Sequence, residues 1–165
     1  MSAAFKVDVQ HPFMDREVVL NIANGVVETL KILADITADF EKPFVADHWQ
    51  SPTEVSVYLN LNSEPFCGKI HFHFDVKVAK YIIETLTGSS VPSDSDEILD
   101  GVGEISNIFY GSAKTKLNGI GYNLKMSLPT PCWTKDLPPS PDSKKCMIIP
   151  FKVNNALCYV EIVIV

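Results

Sequence analysis

Residues 94–119, DSDEILDGVGEISNIFYGSAKTKLNG, read as one helix, and a helix of that length dictates much of what the rest must do. At 1.5 Å per residue it spans roughly 35 Å, about the width of a small domain. Asp94 followed by Glu97 has the pattern of a capping box, and Asn118-Gly119 is a stop signal. Ile98, Val102, Ile105, Phe109 and Leu117 recur at helical spacing and form the core-facing stripe. Glu104 and Asn107 lie one turn apart on the other face, so they are expected to be exposed together. Gly101, Gly103 and Gly111 each cost a helix interior about 1 kcal/mol against alanine. Gly101 or Gly103 fits close packing on a sheet or neighbouring helix. Gly111 shares the Glu104/Asn107 face, where it lets a partner's backbone approach. The acidic run 94–100 suits the positive end of the helix dipole.

The flanking segments supply a sheet. Residues 15–37 have helical periodicity, with Val18, Ile22, Val26, Leu33 and Ile36 as the apolar stripe and Asp15 as N-cap. Residues 40–53 contain Pro43 and Pro52 and read as irregular. Residues 54–62 alternate, with Val55, Val57, Leu59 and Leu61 on one side and Ser56, Tyr58 and Asn60 on the other. After a turn at 63–65, residues 66–74 form the second arm of a hairpin, with Phe66, Ile70, Phe72 and Phe74 inward. A short helix at 76–87, closed by Gly88, and a polar linker at 89–95 follow. Beyond the long helix, 122–128 reads as a strand, 129–145 as a proline-rich loop, and 146–153 and 156–165 as two closing strands. Pro150 has no donor for a ladder and belongs at an edge or bulge. ALCYVEIVIV, apolar on nearly both faces, belongs at the centre of a sheet or at an interface. The expected fold is therefore α+β, one continuous sheet with the two long helices together on one side.

At 165 residues the chain suits a single domain spanning 1–165. A net charge of −6 argues against nucleic acid and against an anionic membrane surface. The N-terminal sequence lacks a basic region followed by an apolar core, so no signal peptide is expected, and no apolar run reaches bilayer length. Cys67, Cys132, Cys146 and Cys158 are scattered without a CxxC pair, which suits a reduced, cytoplasmic thiol set.

The polar stripe Glu17, Asn21, Asn24, Glu28, Lys31, Asp35 recurs as Asp100, Glu104, Asn107, Gly111, Lys114, Asn118, at a constant offset of 83 positions. Each helix is followed by a hairpin, which implies a duplication of about 15–74 and 98–165 around a pseudo-two-fold. The copies differ where chemistry would sit. Asn21 stands at the position of Glu104, and Glu28 at that of Gly111, so the functional surface is expected on the second helix.

Gly103-Glu104-Ile105-Ser106-Asn107, with Gly111 four residues on, resembles the ExxN helix of the CheC/CheX/FliY family. The order of helix, hairpin, short helix, ExxN helix and strands is similar to its CheX branch over about 15–165. Leu128-Pro129-Thr130-Pro131 followed by Asp136-Leu137 resembles the family segment after the helix, with Lys135 where a glycine is usual. The resemblance implies a phosphatase for the aspartyl phosphate of a phosphorylated CheY-like receiver. In it Glu104 would engage a receiver lysine and Asn107 would hold the attacking water, with Asp100, Gly111 and Lys114 as partner-binding neighbours. It further implies a homodimer through strand pairing and no cofactor or metal of its own, Mg²⁺ being held by the receiver. The alternatives are a non-catalytic receiver-binding adaptor and a flagellar-switch-like structural component.

The remaining polar residues read as background. His71 and His73 share the outward face of one strand, about 6–7 Å apart. No third ligand is evident in the sequence, so solvated strand residues are expected. His11 and His48 have no recognisable partners, and Trp49 and Trp133 read as local packing beside prolines.

Overall fold

The computed structural model describes residues 15–63, 66–125, 127–138 and 145–164. His11, the turn residues 64–65, Met126, the packing of Phe66 and the middle of the proline-rich loop lie outside them. Helix α1 (Arg16–Ala34) is capped by Asp15, whose side chain accepts from Glu17 N, and ends at Asp35 in the left-handed region. Val18, Ile22 and Val26 are buried as expected, and Ile36 is buried beyond the helix end. Leu30 rather than Leu33 completes the stripe, because the helix stops at Ala34 and leaves Leu33 44% exposed.

Among the described residues seven strands, β1 (Asp39–Phe40), β2 (Phe44–Ala46), β3 (Val55–Ser63), β4 (Phe66–Phe74), β5 (Thr130–Trp133), β6 (Lys145–Val153) and β7 (Ala156–Ile164), form one sheet in the order β1-β6-β7-β4-β3-β5, every adjacent pair antiparallel, with β2 also on β6. The hairpin of β3 (Val55–Ser63) and β4 (Phe66–Phe74) agrees with the alternating pattern. Segment 40–53 is not wholly irregular: β1 (Asp39–Phe40) and β2 (Phe44–Ala46) pair with β6. The proline-rich stretch likewise contains an edge strand, β5 (Thr130–Trp133), and a 3-10 turn at Thr134–Asp136. Strands β6 (Lys145–Val153) and β7 (Ala156–Ile164) meet at Asn154-Asn155. Both asparagines have positive φ, 50° and 64°, as a tight two-residue hairpin requires.

Pro150 is not on an outer strand. Its carbonyl accepts from Glu41 N at 2.8 Å, and its donorless nitrogen looks the same way, onto the break between β1 and β2. Strand β7 is central, between β6 and β4, which accounts for its apolar character on both faces.

Residues 122–125 and 127–129 are not a strand, contrary to their alternation. Their backbone is satisfied locally. Asn118 Oδ1 accepts from Leu124 N at 2.7 Å, Asn118 Nδ2 donates to Leu124 O at 3.2 Å, and the Tyr110 hydroxyl donates to Lys125 O. The segment therefore folds back on the end of the long helix instead of joining a ladder.

Helix α2 (Val76–Thr87) is capped by Asp75 and closed by Gly88 at φ 70°. Helix α3 (Asp96–Gly119) starts one residue later than the capping box required. Ser95 is the N-cap, and it makes no side-chain cap because its hydroxyl donates back to Pro92 O at 2.8 Å. Both long helices cover one face of the sheet. Phe109 of α3 packs on Phe72 and Phe74 of β4, with ring centroids at 5.5 and 6.2 Å. Helix α1 crosses α3 at Gly25, where a Cβ would lie 3.2 Å from Ala113 N, and Lys116 pairs with Glu28 at 2.7 Å.

The glycines of α3 divide as their surroundings dictate. A Cβ on Gly101 would lie 2.4 Å from Ile83 Cδ1 of α2, and one on Gly103 would lie 3.3 Å from Pro131 Cγ of β5. A Cβ on Gly111 would meet nothing within 4 Å. Gly111→Ala is expected to raise unfolding free energy by about 1 kcal/mol, the full helix-propensity difference. Gly101→Ala should gain little or lose stability, because the buried Ile83 must give way. Urea titration of both variants checks this, and equal gains would contradict the packing.

Candidate functional site on the long helix

A residue of α3 is turned about 100° from its neighbour. With Phe109 against the sheet, Glu104 and Asn107 point about 140–160° away from it. Helix α1 packs on α3 at Gly25 and Ala113, α2 covers one flank at Gly101, and β5 covers the other at Gly103, about 200° around the helix from Gly101. The strip between them carries Glu104, Asn107, Ile108 and Gly111. Glu104 and Ile108 are exposed, and Asn107 and Gly111 half-buried. Neither the Glu104 carboxylate nor the Asn107 amide makes a hydrogen bond or ion pair with the described residues. Both are free to meet a group brought from outside.

Asp100 lies exposed one turn before Glu104, and Lys114 half-buried one turn after Gly111. Ser106 turns inward, fully buried, and its hydroxyl has no partner among the described residues. Such an orphan costs about 1–3 kcal/mol. Sequence reasoning passed over Ile108, which is 43% exposed in the middle of the strip and gives it an apolar contact point. Its place outside the core stripe, beside Asn107, was the available signal.

A second polar cluster lies on the opposite face of the sheet. The pleat that turns Phe72 and Phe74 toward α3 turns His71 and His73 away from it. They are not solvated, as expected from sequence, but buried at 5% and 0% exposure, and a third group joins them. Glu161 of β7 stands directly opposite His71 in the ladder. Its Oε2 accepts from His73 Nε2 at 2.7 Å and from His71 Nδ1 at 3.2 Å. His73 Nδ1 accepts from Ser56 Oγ at 2.7 Å, and Ser56 in turn bonds Thr134 Oγ1 at 2.7 Å. Trp49 closes over the cluster, edge-on to His73 and Tyr159. The signal for Glu161 was its position as the lone acid of an apolar strand, but its partner was set by the β4–β7 register.

Burial lowers the pKa of His73 and so favours its neutral form. Burial alone would raise Glu161, but hydrogen bonds from His71 and His73 outweigh it and hold the carboxyl at about 2. Burial, reinforced by the Glu161 carboxylate, pushes the Cys146 thiol up to about 12, so it stays protonated at neutral pH. All four cysteines are free thiols. No helix among the described residues is long and apolar enough to cross a membrane.

The arrangement is that of a CheC-like α+β domain. A CheC-like superfamily protein from Shewanella sp. PV-4 superposes with a TM-score of 0.79 at 24% identity, over 91% of this chain and 98% of that one. A chain of the CheX–CheY–BeF3–Mg²⁺ complex from Borrelia burgdorferi does so with a TM-score of 0.71 at 20% identity, over 88% and 96%. In sequence, the CheY-P phosphatase CheX of Thermotoga maritima is 23% identical over 125 residues, 75% of this chain and 80% of that protein. The model of the family described as chemotaxis phosphatase CheX matches residues 55–152, from the start of β3 into β6 and through all of α3. The chain belongs to that CheX family.

The shifts at His73 and Glu161 act in the same direction. In the unfolded chain the histidine takes up a proton as pH falls through its ordinary value of 6.5, and the carboxyl does so near 4.5. The folded chain resists both until lower pH. Stability should therefore be full above about pH 6.5 and fall on acidification, more steeply below pH 4.5, by up to about 1.4 kcal/mol per pH unit for each group. Calorimetric midpoints at pH 7, 5 and 3.5 should descend in that order, and Glu161→Gln should flatten the lower part.

Proposed function

We propose that the chain hydrolyses the aspartyl phosphate of a CheY-like receiver domain, with Glu104 and Asn107 as the working pair. The observation that carries this reading is a pair of side chains without a partner among the described residues, on the strip of α3 that α1, α2 and β5 leave open. Two relatives support the choice of substrate. The Thermotoga maritima protein is named a CheY-P phosphatase, and the Borrelia burgdorferi CheX is seen in a complex with CheY carrying BeF3 and Mg²⁺.

The chemistry suits the residue types. Phosphoryl transfer needs positioning and charge neutralisation more than covalent help from the protein. The Asn107 amide has an acceptor oxygen and two N–H donors. Its oxygen accepts from a water while its N–H groups face the phosphoryl oxygens without repelling them. The water oxygen bonds to phosphorus, the bond from phosphorus to the aspartyl oxygen breaks, and the aspartate leaves as carboxylate with inorganic phosphate as the other product. Glu104 engages the receiver's lysine by a charge-assisted hydrogen bond, which sets the helix in register over the site. Ile108 adds apolar contact, and Gly111 permits close backbone approach. Asp100 and Lys114 flank the strip as further contacts. The divalent ion that neutralises the phosphoryl group is the receiver's Mg²⁺, so this strip needs no metal.

A homodimer is part of the same reading. With β7 central in its own sheet, a second copy pairing strand to strand would use an outer edge, β5 or the β1/β2 ribbon.

Turnover of a panel of phosphorylated CheY-like receivers tests the proposal. Asn107→Ala is expected to lower the rate by about 10²-fold or more while leaving affinity for a BeF3-loaded receiver largely intact. Glu104→Ala should weaken that affinity as well. Tight binding without turnover by the unsubstituted protein would instead identify an adaptor, and an unchanged rate for Asn107→Ala would rule out the assigned role.

A further inference from the structure

We propose that His71, His73 and Glu161 form a binding site for one divalent metal ion of the zinc class, on the sheet face opposite the ExxN helix. The three residues supply two imidazole nitrogens and a carboxylate oxygen, all within 4.8 Å of one another. That donor set is the one that holds zinc where a fourth position is left to water or an exogenous ligand. With metal–ligand bonds of about 2.0–2.1 Å, a tetrahedral site spaces its donors roughly 3.3–3.4 Å apart. The Glu161 oxygen already stands 3.2 Å from His71 Nδ1 and 2.7 Å from His73 Nε2. Small rotations of the carboxylate and imidazoles open the space an ion needs.

Charge points the same way. Glu161 is 6% exposed, and among the described residues its ion-pair partners are these two histidines, with no lysine or arginine. Its negative charge is met by imidazole N–H groups, and a bound divalent cation would neutralise it directly.

The surroundings complete a site. Ser56 holds His73 through its other ring nitrogen, and Thr134 holds Ser56. These two hydroxyls can reverse direction. Without metal, Ser56 donates to His73 Nδ1. With metal on Nε2, the ring carries its proton on Nδ1 and donates to Ser56, which donates to Thr134. This is the outer support that orients metal-bound imidazoles. The three ligands line a cavity of about 1000 Å³ shared with Trp49, Glu54, Asp94 and Trp133, which offers an entry path and room at the fourth position. Phe72 and Phe74 separate the cluster from α3, so the site is distinct from the Glu104/Asn107 strip.

The test uses the whole, untagged chain after chelator treatment, titrated with Zn²⁺ by calorimetry and with Co²⁺ by absorption spectroscopy. One equivalent of Zn²⁺ should bind saturably and raise the thermal midpoint. Cobalt should give the visible bands of a tetrahedral site without the ultraviolet charge-transfer band of a thiolate, since the three clustered donors are two imidazole nitrogens and a carboxylate oxygen. Glu161→Gln should weaken binding at least 100-fold and Ser56→Ala about 10- to 100-fold. No saturable binding of either ion, binding unchanged in Glu161→Gln, or a thiolate band would overturn the proposal. If Glu161→Gln fails to fold by circular dichroism, Ser56→Ala and the cobalt spectrum of the unsubstituted protein decide it.

Discussion

The pleat of β4 sends Phe72 and Phe74 to one side and His71 and His73 to the other, and most of the molecule's organisation follows from that alternation. The two phenylalanines seat Phe109, and the seating sets the rotation of α3 about its own axis. Once the rotation is set, Glu104 and Asn107 have no choice but to face outward. The two histidines, on the far side, come under Trp49 and meet Glu161. One strand thus orients the helix that carries the ExxN pair and builds the buried polar cluster, with a layer of aromatic rings between them.

Helix α3 is poorly made by the standards of local propensity and well made by those of its neighbours. Its first side-chain cap is absent, three glycines lie in its interior, and the buried Ser106 hydroxyl has no partner among the described residues. Each of those features alone would weaken an isolated helix. The apolar stripe compensates: Ile98, Val102, Ile105, Phe109 and Leu117 are each no more than 2% exposed. Two of the glycines let α2 and β5 approach, so their cost is offset by tertiary packing. Among the described residues nothing approaches Gly111 closely enough to offset its cost.

The central elements were legible because periodicity is a strong signal when one face is buried and long. Residues 54–74, 76–87 and 94–119 were read nearly to their ends, and the open placement of Glu104 and Asn107 followed from spacing alone. Errors arose where local patterns had rival solutions. Residues 122–128 alternate like a strand, yet Asn118 and Tyr110 satisfy their backbone first. Asp94 and Glu97 have the right spacing for a capping box, yet Ser95 turns its hydroxyl to Pro92. The short edge strands β1, β2 and β5 had too few residues, and too many prolines nearby, to show a period at all.

The two long helices, the hairpins, the face of α3 that meets the sheet and the acid–amide pair left on the other are all written in local spacing. They depend on contacts within a few turns or strand residues, and such contacts leave a period in the chain. That Glu161 comes to lie against His71 and His73, or that Gly101 is closed off while Gly111 stays open, is set by how the elements pack. Those outcomes depend on the register between β4 and β7 and on which element packs against which glycine. Both are distances between residues far apart in sequence, and no local spacing records them.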